Sequence, residues 1–166
     1  VDAIGGTFYI EELGVLRDDL GKLRGAPVTD AELNASIRVF NANRAAIRDL
    51  YAYRAAKPWQ APTFEVYLVL RAGMVLPVEE HTQLVRDYIA AADAVARPKR
   101  DNARVVLTGA FCEQPPLALI KSIEMSGCYI VDDDFMLVTR WLLDDVPTHG
   151  QPLEELGAQP AVQGRL

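Results

Sequence analysis

The sequence predicts an α/β protein in which a helical segment precedes one βαβ unit with a parallel pair of strands. In residues 1–100, apolar residues recur at spacings of three to four, the period of an amphipathic helix. In residues 101–146 this pattern gives way to two short, wholly apolar runs, which are typical of strands covered on both faces. A helix separates the two runs, and strands joined in this way lie parallel. Residues 147–166 are expected to form a loosely structured tail.

The first predicted helix covers residues 7–24 and ends at Gly25, a residue type that commonly terminates helices. The next helix begins at a capping box. There the hydroxyl of Thr29 can accept a hydrogen bond from the backbone N–H of Glu32, while the Glu32 carboxylate reaches back. This central helix ends at Pro58, which has no N–H to donate.

Two shorter helices are predicted over about 64–74 and 77–96, each opened by a proline. The arginines of the central helix, Arg54 included, are expected on its solvated face, because they largely avoid the apolar stripe. His81 has no partner at metal-ligand spacing and is expected at the surface. The apolar residues expected to share one core are Leu33, Ile37, Phe40, Ile47, Leu84, Tyr88 and Ile89.

The two strands are predicted over residues 105–109 and 128–132, with a helix over 116–126 between them. A further helix is expected over about 136–144. Two parallel strands patterned for burial on both faces are fewer than such a sheet normally contains. We therefore expect polypeptide outside this sequence to complete the sheet, and the alternative is a small, irregular α+β protein.

The composition excludes several classes of function. The 166 residues carry 17 Lys and Arg against 23 Asp and Glu, a formal net charge of −6. This acidic balance argues against binding of nucleic acid or of an anionic membrane through a basic face. The sequence contains no apolar run near the ~20 residues of a membrane-spanning helix and no signal-peptide pattern. Two cysteines make no disulfide framework, so a reduced, cytoplasmic setting is expected.

Candidate site residues follow the two predicted strands. Cys112 lies in the loop between the first strand and the next helix, where a thiol can act as a nucleophile or metal ligand. The alternative is a buried, small apolar residue. Asp132, Asp133 and Asp134 follow the second strand at the same edge, where they can contact substrate, bind a cation or cap a helix. Arg140 can bind an anion or pair with one of these aspartates. The sequence has no Gly-rich phosphate loop.

Two stretches carry an ordered combination of residues that no single motif provides. The first is Thr29-Asp30-Ala31-Glu32-Leu33-Asn34-Ala35-Ser36-Ile37 with Phe40-Asn41-Ala42-Asn43-Arg44. The second is Val106-Leu107-Thr108-Gly109, then Pro116-Leu117, Ile123-Glu124-Met125-Ser126-Gly127, Val131-Asp132-Asp133-Asp134 and Arg140. Together they resemble the 2-hydroxyacyl-CoA dehydratase and benzoyl-CoA reductase family over about residues 7–145. The loop around Cys112 and the strand after Gly127 are most similar to a cluster-carrying benzoyl-CoA reductase subunit.

The resemblance implies that the chain is a fragment of a subunit more than twice its length. It would contain the helical segment and the first βαβ unit of a Rossmann-like domain with a parallel sheet. The implied function is ATP-driven, one-electron reduction of the aromatic ring of benzoyl-CoA, in anaerobic aromatic degradation. The implied partners are a homologous second subunit, each of the two carrying a [4Fe-4S] cluster, and a separate ATP-hydrolysing activator subunit. The fragment alone is expected to be inactive.

The resemblance also bears on the candidate site residues. The family's cluster cysteines lie mostly in regions outside this chain, so we expect no bound cluster here, and Cys112 is the candidate ligand within it. Asp132, Asp133 and Arg140 are the candidate residues for binding the acyl-CoA substrate. No catalytic residue is assigned.

Two other functions stay open at this point. One is the 2-hydroxyacyl-CoA dehydratase branch of the same family. A neighbouring gene for a CoA-transferase would indicate this branch, whereas neighbouring genes for an activator ATPase and ring-opening hydratases would indicate the reductase. The other is a non-catalytic helical interaction domain with a small α/β cap, which a comparison of intact mass with gene length would indicate.

Overall fold

The structure is a computed structural model that describes residues 3–109, 115–134 and 144–158. These residues form six helices and two strands. In chain order the elements are α1 (Ala3–Arg24), α2 (Asp30–Ala56), α3 (Thr63–Ala72), α4 (Val78–Ala94), β1 (Ala103–Leu107), α5 (Leu117–Met125), β2 (Cys128–Asp133) and α6 (Pro152–Gly157). The helix predicted over 136–144 lies, except for its last residue, outside the described ranges. Within those ranges, no helix combines the length and apolar character needed to cross a membrane.

The four helices predicted for the helical segment are confirmed as α1 to α4. The capping box at the start of α2 is confirmed as well. The backbone N–H of Glu32 donates to Thr29 Oγ1 across 3.3 Å, and the N–H of Thr29 donates to Glu32 Oε2 across 2.8 Å. Arg24, the last residue of α1, places its Nη1 2.8 Å from Glu32 Oε1 and so ties the two helix ends together.

The described residues form two groups: residues 3–41 pack with 144–158, and residues 42–109 pack with 115–134. The domain boundaries at residues 100 and 146 stay a prediction about the organisation of the chain.

In the first group, α6 packs on α1. Gly157 lies so close to Ile10 that a Cβ at residue 157 would be 2.3 Å from Ile10 Cγ1. The presence of α6 corrects the loosely structured tail expected for 147–166 at residues 152–157. Pro152 supplies the backbone angle of a first helical turn, and Glu154 and Glu155 lie at the positive end of the helix dipole.

The second group has its main core between α2, α3 and α4. The buried members of this core are Ala46, Ile47, Leu50, Ala61, Val66, Leu70 and Val85. The half-buried residues packed against them are Tyr51, Tyr53, Val69, Tyr88 and Ile89.

The predicted core is therefore correct for Ile47, Tyr88 and Ile89. It is wrong for the other four residues. Phe40 is 49% exposed and Leu33 is half-buried, while Ile37 is buried in the other group of residues. At Leu84 the prediction is off by one position, because its neighbour Val85 is the core residue. Helix α2 has 27 residues and is about 40 Å long. An apolar stripe along its whole length is therefore too long to pack into a single core.

A buried polar network lies within this core region, and it shows that the surface position predicted for His81 is wrong. His81 is 4% exposed. Its Nδ1 lies 2.9 Å from Asn43 Nδ2, and its Nε2 lies 3.1 Å from the carbonyl oxygen of Val69. With the proton on Nε2, the ring donates to Val69 and accepts from Asn43, so the network requires neutral imidazole.

The two strands pair in parallel, as predicted. The strand predicted over 105–109 begins and ends two residues earlier, and the predicted connecting helix is confirmed as α5. Gly127 follows α5 with a φ of 94°, the left-handed conformation that favours glycine after a helix.

One face of this two-stranded sheet packs on a second core formed by Tyr67, Ile120 and Ile130. Val105 and Leu107 of β1 pack against that core. Val106 points to the opposite face, because strand residues alternate, and it is 56% exposed. Burial on both faces, as predicted for β1, is therefore wrong within the described residues.

Candidate functional site at the carboxyl ends of the strands

The carboxyl ends of β1 and β2 lie side by side because the strands are parallel. Asp134 follows β2, and its backbone N–H donates to the carbonyl oxygen of Leu107 across 3.1 Å. In return, the backbone N–H of Gly109 donates to Asp134 Oδ1 across 3.1 Å. The strand ends and the aspartates thus share the edge at which open α/β folds bind ligands. Cys112 and Arg140 lie outside the described residues.

A break in the strand register precedes the aspartates. Val105 pairs with Ile130, whereas the next residue of β1 pairs with Asp132. Val131 therefore has no partner in β1, and such a bulge changes which residues share a face. The Asp133 side chain is 1% exposed and that of Asp132 is 62% exposed. The sheet thus buries one carboxylate and presents the next to solvent.

Two residues from the last turns of α2 bind Asp133. Arg54 Nη1 lies 2.7 Å from Asp133 Oδ2, and both side chains are 1% exposed. The Tyr51 hydroxyl donates to Asp133 Oδ1 across 3.1 Å, and the Tyr51 ring centre lies 4.5 Å from the guanidinium carbon. Burial and the neighbouring Asp133 charge raise the pKa of the Tyr51 hydroxyl, so it remains a donor.

The solvated position predicted for Arg54 is wrong, and the sequence contains a signal that indicates burial. Arg54 follows Ile47 by seven residues and Leu50 by four, so it continues the apolar stripe of α2. Both of those residues belong to the main core. A charged residue in this register indicates a buried partner of opposite charge.

The guanidinium of Arg54 also reaches toward the exposed aspartate. Its Nη2 lies 4.0 Å from Asp132 Oδ1, beyond direct hydrogen-bond distance. The backbone N–H of Asp133 donates to the same Oδ1 across 2.9 Å. Arg54 Nε and Nη2 are buried and have no hydrogen-bond acceptor in the part of the chain that the structure describes.

Helices α3 and α5 also hold the strand in place. Thr63, the first residue of α3, donates its backbone N–H to Glu124 Oε1 across 2.7 Å. The Thr63 hydroxyl donates to the carbonyl oxygen of Ile130 across 3.2 Å. Burial raises the pKa of Glu124, which lies near the end of α5. Strand β2 is therefore fixed by α2, α3 and α5 just before it reaches the aspartates.

The chemistry of this edge follows from the two predicted substrate-binding aspartates. Arg54 and Tyr51 hold both oxygens of Asp133. Asp132 is the accessible carboxylate, and an ionised carboxylate accepts hydrogen bonds but donates none. It can therefore bind a hydroxyl or amide N–H of a ligand, or attract a cation.

Metal-binding capacity is limited by the residues at hand. The described residues include no group of three or more His, Cys, Asp or Glu side chains placed to hold a metal ion. Cys128 is a free, half-buried thiol at the start of β2, at the other end of the strand from the aspartates. The sequence has two cysteines, whereas a [4Fe-4S] cluster takes about four thiolates. The residues of this chain do not fit a complete cluster.

Comparison with known proteins assigns the chain to a family. A sequence model of the family described as 2-hydroxyglutaryl-CoA dehydratase, D-component, matches residues 4–161. The chain is 55% identical over 155 residues to a benzoyl-CoA reductase subunit of Thauera aromatica, and the match covers 93% of this chain and 40% of that protein.

Two dehydratase subunits match less closely. Lactoyl-CoA dehydratase subunit beta of Anaerotignum propionicum is 30% identical over 139 residues, a match that covers 84% of this chain and 37% of that protein. (R)-2-hydroxyglutaryl-CoA dehydratase subunit beta of Acidaminococcus fermentans is 24% identical over 146 residues, a match that covers 88% of this chain and 38% of that protein. The chain thus spans about 40% of the length of these curated relatives. Since the family model covers nearly all of it, the chain belongs to the 2-hydroxyglutaryl-CoA dehydratase D-component family.

Proposed function

We propose that this chain is part of a benzoyl-CoA reductase subunit, an iron–sulfur protein that reduces the aromatic ring of benzoyl-CoA in one-electron steps driven by ATP. The observation that carries the proposal is the 55% identity to the benzoyl-CoA reductase subunit of Thauera aromatica over 155 residues. The dehydratase relatives reach 30% identity or less. The larger identity, over almost the whole chain, favours the reductase branch of the family.

The proposed enzyme is a cytoplasmic complex in which this chain is one portion of a longer subunit. Its relatives are themselves named as subunits, which supports the presence of partner subunits. The partners proposed are a homologous second subunit and a separate ATP-hydrolysing activator. Polypeptide beyond these residues would supply most of the cluster ligands and complete a Rossmann-like domain around β1 and β2. The 166 residues alone are proposed to be inactive.

Within this chain we assign substrate binding to Asp132 and Arg140, and Cys112 is the candidate cluster ligand. The exposure of Asp132 at the carboxyl edge of the sheet supports the first of these assignments. Asp133 would serve the same edge from within the protein, since Arg54 and Tyr51 hold its carboxylate. The part of this chain is to bind and orient the thioester substrate.

The second candidate function is a 2-hydroxyacyl-CoA dehydratase subunit. It is favoured by the lactoyl-CoA dehydratase relative, at 30% identity over 139 residues, and by the description of the family itself. Both functions act on an acyl-CoA thioester, so they differ in the acyl group and in the product.

The test is the activity of the full-length protein, expressed from its complete reading frame with its partner subunits and kept free of oxygen. We expect benzoyl-CoA to be consumed in the presence of ATP and an electron donor, with no loss of lactoyl-CoA or 2-hydroxyglutaryl-CoA. Product chromatography distinguishes the functions. Dehydration of a 2-hydroxyacyl-CoA without loss of benzoyl-CoA would establish the second function, and turnover of neither substrate class would contradict both.

A further inference from the structure

We infer that Arg54 is a positioning residue: through Asp133 it holds the exposed carboxylate of Asp132 in place to accept a hydrogen bond from a neutral donor group of the acyl-CoA. This inference rests on the proposed function, because it takes an acyl-CoA as the ligand of this edge. It goes beyond that function by naming the part of the ligand and the buried group that prepares the site for it.

The buried pair of Arg54 and Asp133 is not explained by stability. Taking two charges out of water costs about as much as their attraction returns, so apolar residues of the same volume are often as stable or more so. Both side chains are 1% exposed, so the cost of removing them from water is nearly complete. What the pair does provide is a fixed geometry between the last turn of α2 and the last residue of β2.

That geometry continues to the exposed carboxylate. Asp132 Oδ1 accepts the backbone N–H of Asp133 at 2.9 Å and faces Arg54 Nη2 at 4.0 Å. This Nη2 is buried and has no hydrogen-bond acceptor among the described residues. Because Asp133 is itself fixed by Arg54 and Tyr51, the orientation of Oδ1 is fixed as well. Oδ2 of Asp132 is then the oxygen directed to a ligand.

The charge of this edge selects the part of the ligand that it binds. The Asp132 carboxylate is 62% exposed, and Arg54, the cation within ion-pair distance of it, already lies 2.7 Å from the buried Asp133 and 4.0 Å from Asp132. The negative charge of the exposed Asp132 disfavours an anionic group such as the phosphates of coenzyme A at this position. A carboxylate accepts hydrogen bonds from neutral donors, and the pantetheine arm carries amide N–H groups and a hydroxyl. The neutral arm, rather than the nucleotide end, is therefore the group expected at Asp132.

The test separates positioning from folding by replacing the whole pair. In the full-length protein within its complex, Arg54→Met with Asp133→Val removes both charges and keeps the summed side-chain volume close to that of the wild type, and Asp132→Asn removes the acceptor charge. We expect the double variant to keep the wild-type melting temperature and to raise KM for benzoyl-CoA by about tenfold or more, the value of one hydrogen bond to a charged group. Asp132→Asn should raise KM by a similar factor, and adding it to the double variant should change KM no further.

Two controls sharpen this result. Lys57 and Asp93 form another ion pair in the same group of residues, with Nζ 2.6 Å from Oδ1 and both side chains about half exposed. Lys57→Gln with Asp93→Asn should leave KM unchanged. With benzoyl-pantetheine as substrate, the Arg54 and Asp132 variants should raise KM by the same factor as with benzoyl-CoA.

An unchanged KM in a stable double variant would overturn the inference. The inference would also be overturned if the double variant and Asp132→Asn raised KM by factors that multiply when the substitutions are combined. A rise in KM with benzoyl-CoA but not with benzoyl-pantetheine would overturn it as well. If the double variant does not fold, Tyr51→Phe provides the test, because it removes one hydrogen bond to Asp133 and keeps the ion pair. Tyr51→Phe should raise KM and leave kcat unchanged. An unchanged KM in this variant would overturn the inference. A wild-type complex that fails to turn over benzoyl-CoA would contradict the proposed function instead.

Discussion

The His81 imidazole occupies the space that a side chain at Gly73 would need. A Cβ at Gly73 would lie 2.6 Å from His81 Cε1 and 2.8 Å from its Nδ1. Gly73→Ala should therefore push the ring away from Asn43 and Val69 and lower the free energy of unfolding by about 1–3 kcal/mol, the usual cost of overpacking. Urea denaturation measures this difference.

Gly14 provides the matched control for this substitution. It lies inside α1, and beyond its chain neighbours and the backbone of its own helix no atom lies within 4 Å of the position of its Cβ. Gly14→Ala should raise the free energy of unfolding by up to about 1 kcal/mol, because alanine favours the helix more than glycine does. A stabilising Gly73→Ala would show that the ring moves aside at no cost.

Neutral His81 should make the stability depend on pH. Burial lowers the pKa of His81, and the hydrogen bond to Val69 opposes this shift. The folded protein therefore binds the proton less readily than the unfolded chain does. The contribution of His81 is complete above its ordinary pKa of about 6.5 and is lost as the pH falls below that value.

The measurement is the free energy of unfolding between about pH 7.5 and pH 5, for the wild type and for His81→Gln. The wild type should lose more stability over this range than the variant, whose side chain does not titrate. Exposed His149 offers the control, and His149→Gln should follow the wild type. Parallel curves for the wild type and His81→Gln would contradict the neutral network.

The buried polar residues show where reasoning from the sequence fails. Arg54 and His81 both lie in helices and are expected at the surface from the sequence, although the position of Arg54 continues the apolar stripe of α2. Their partners are distant in sequence: Asp133 for Arg54, and Asn43 with Val69 for His81. Hydrophobic periodicity identifies the buried face of a helix, but it cannot show that a charge or ring on that face has a partner from another element.

At the scale of elements, the start of α2 depends on its capping box. Thr29→Ala removes the side-chain acceptor for the Glu32 N–H and should lower the free energy of unfolding by about 1 kcal/mol. Thr29→Ser keeps the hydroxyl and should stay within a few tenths of a kcal/mol of the wild type. Thermal unfolding followed by circular dichroism measures both variants, and equal losses would show that the hydroxyl contributes little.

The same box should be sensitive to acid. Hydrogen bonds from Arg24 and then from Thr29 lower the pKa of Glu32 from 4.5 to about 2. The carboxylate is therefore ionised in the folded protein at pH values where the unfolded chain already binds a proton. Its contribution is complete above about pH 4.5 and is lost as the pH falls toward 2.

Element ends and element order follow from local chemistry, and register does not. Prolines precede α3, α4 and α5 as the sequence predicts, and Gly127 follows α5. The bulge at Val131 depends on how β2 pairs with β1, which no local pattern contains. This bulge exposes the side chain of Asp132 to solvent and buries that of Asp133. The sequence could therefore identify both aspartates at the edge of the sheet, but not which of them is buried and which is exposed.

For the whole molecule, the parallel βαβ unit is predictable and the grouping of the helices is not. The grouping depends on contacts between distant residues, such as the side chain of Asn41 with the backbone of Val146. Asn41 Nδ2 donates to the Val146 carbonyl across 2.8 Å, and the Val146 N–H donates to Asn41 Oδ1 across 3.0 Å. Neither residue belongs to a sequence motif from which this contact could be predicted.

The exposure of Val106 bears on the proposed larger subunit. Val106 is 56% exposed on the face of β1 that points away from the second core. Apolar strands of parallel sheets are normally covered on both faces. If polypeptide of the longer subunit packs on this face of the sheet, Val106 is covered there, and a charge at this position is tolerated in the 166-residue chain only.

Val106→Lys should therefore change the free energy of unfolding of the 166-residue chain by less than about 0.5 kcal/mol and destabilise the full-length subunit by about 2 kcal/mol or more. Val105 is the matched control, because it packs on the second core in the chain itself. Val105→Lys should destabilise both proteins, since its charge is buried in each. A full-length subunit that tolerates Val106→Lys as well as the shorter chain does would show that this face of β1 stays open to solvent and that the longer subunit does not pack on it.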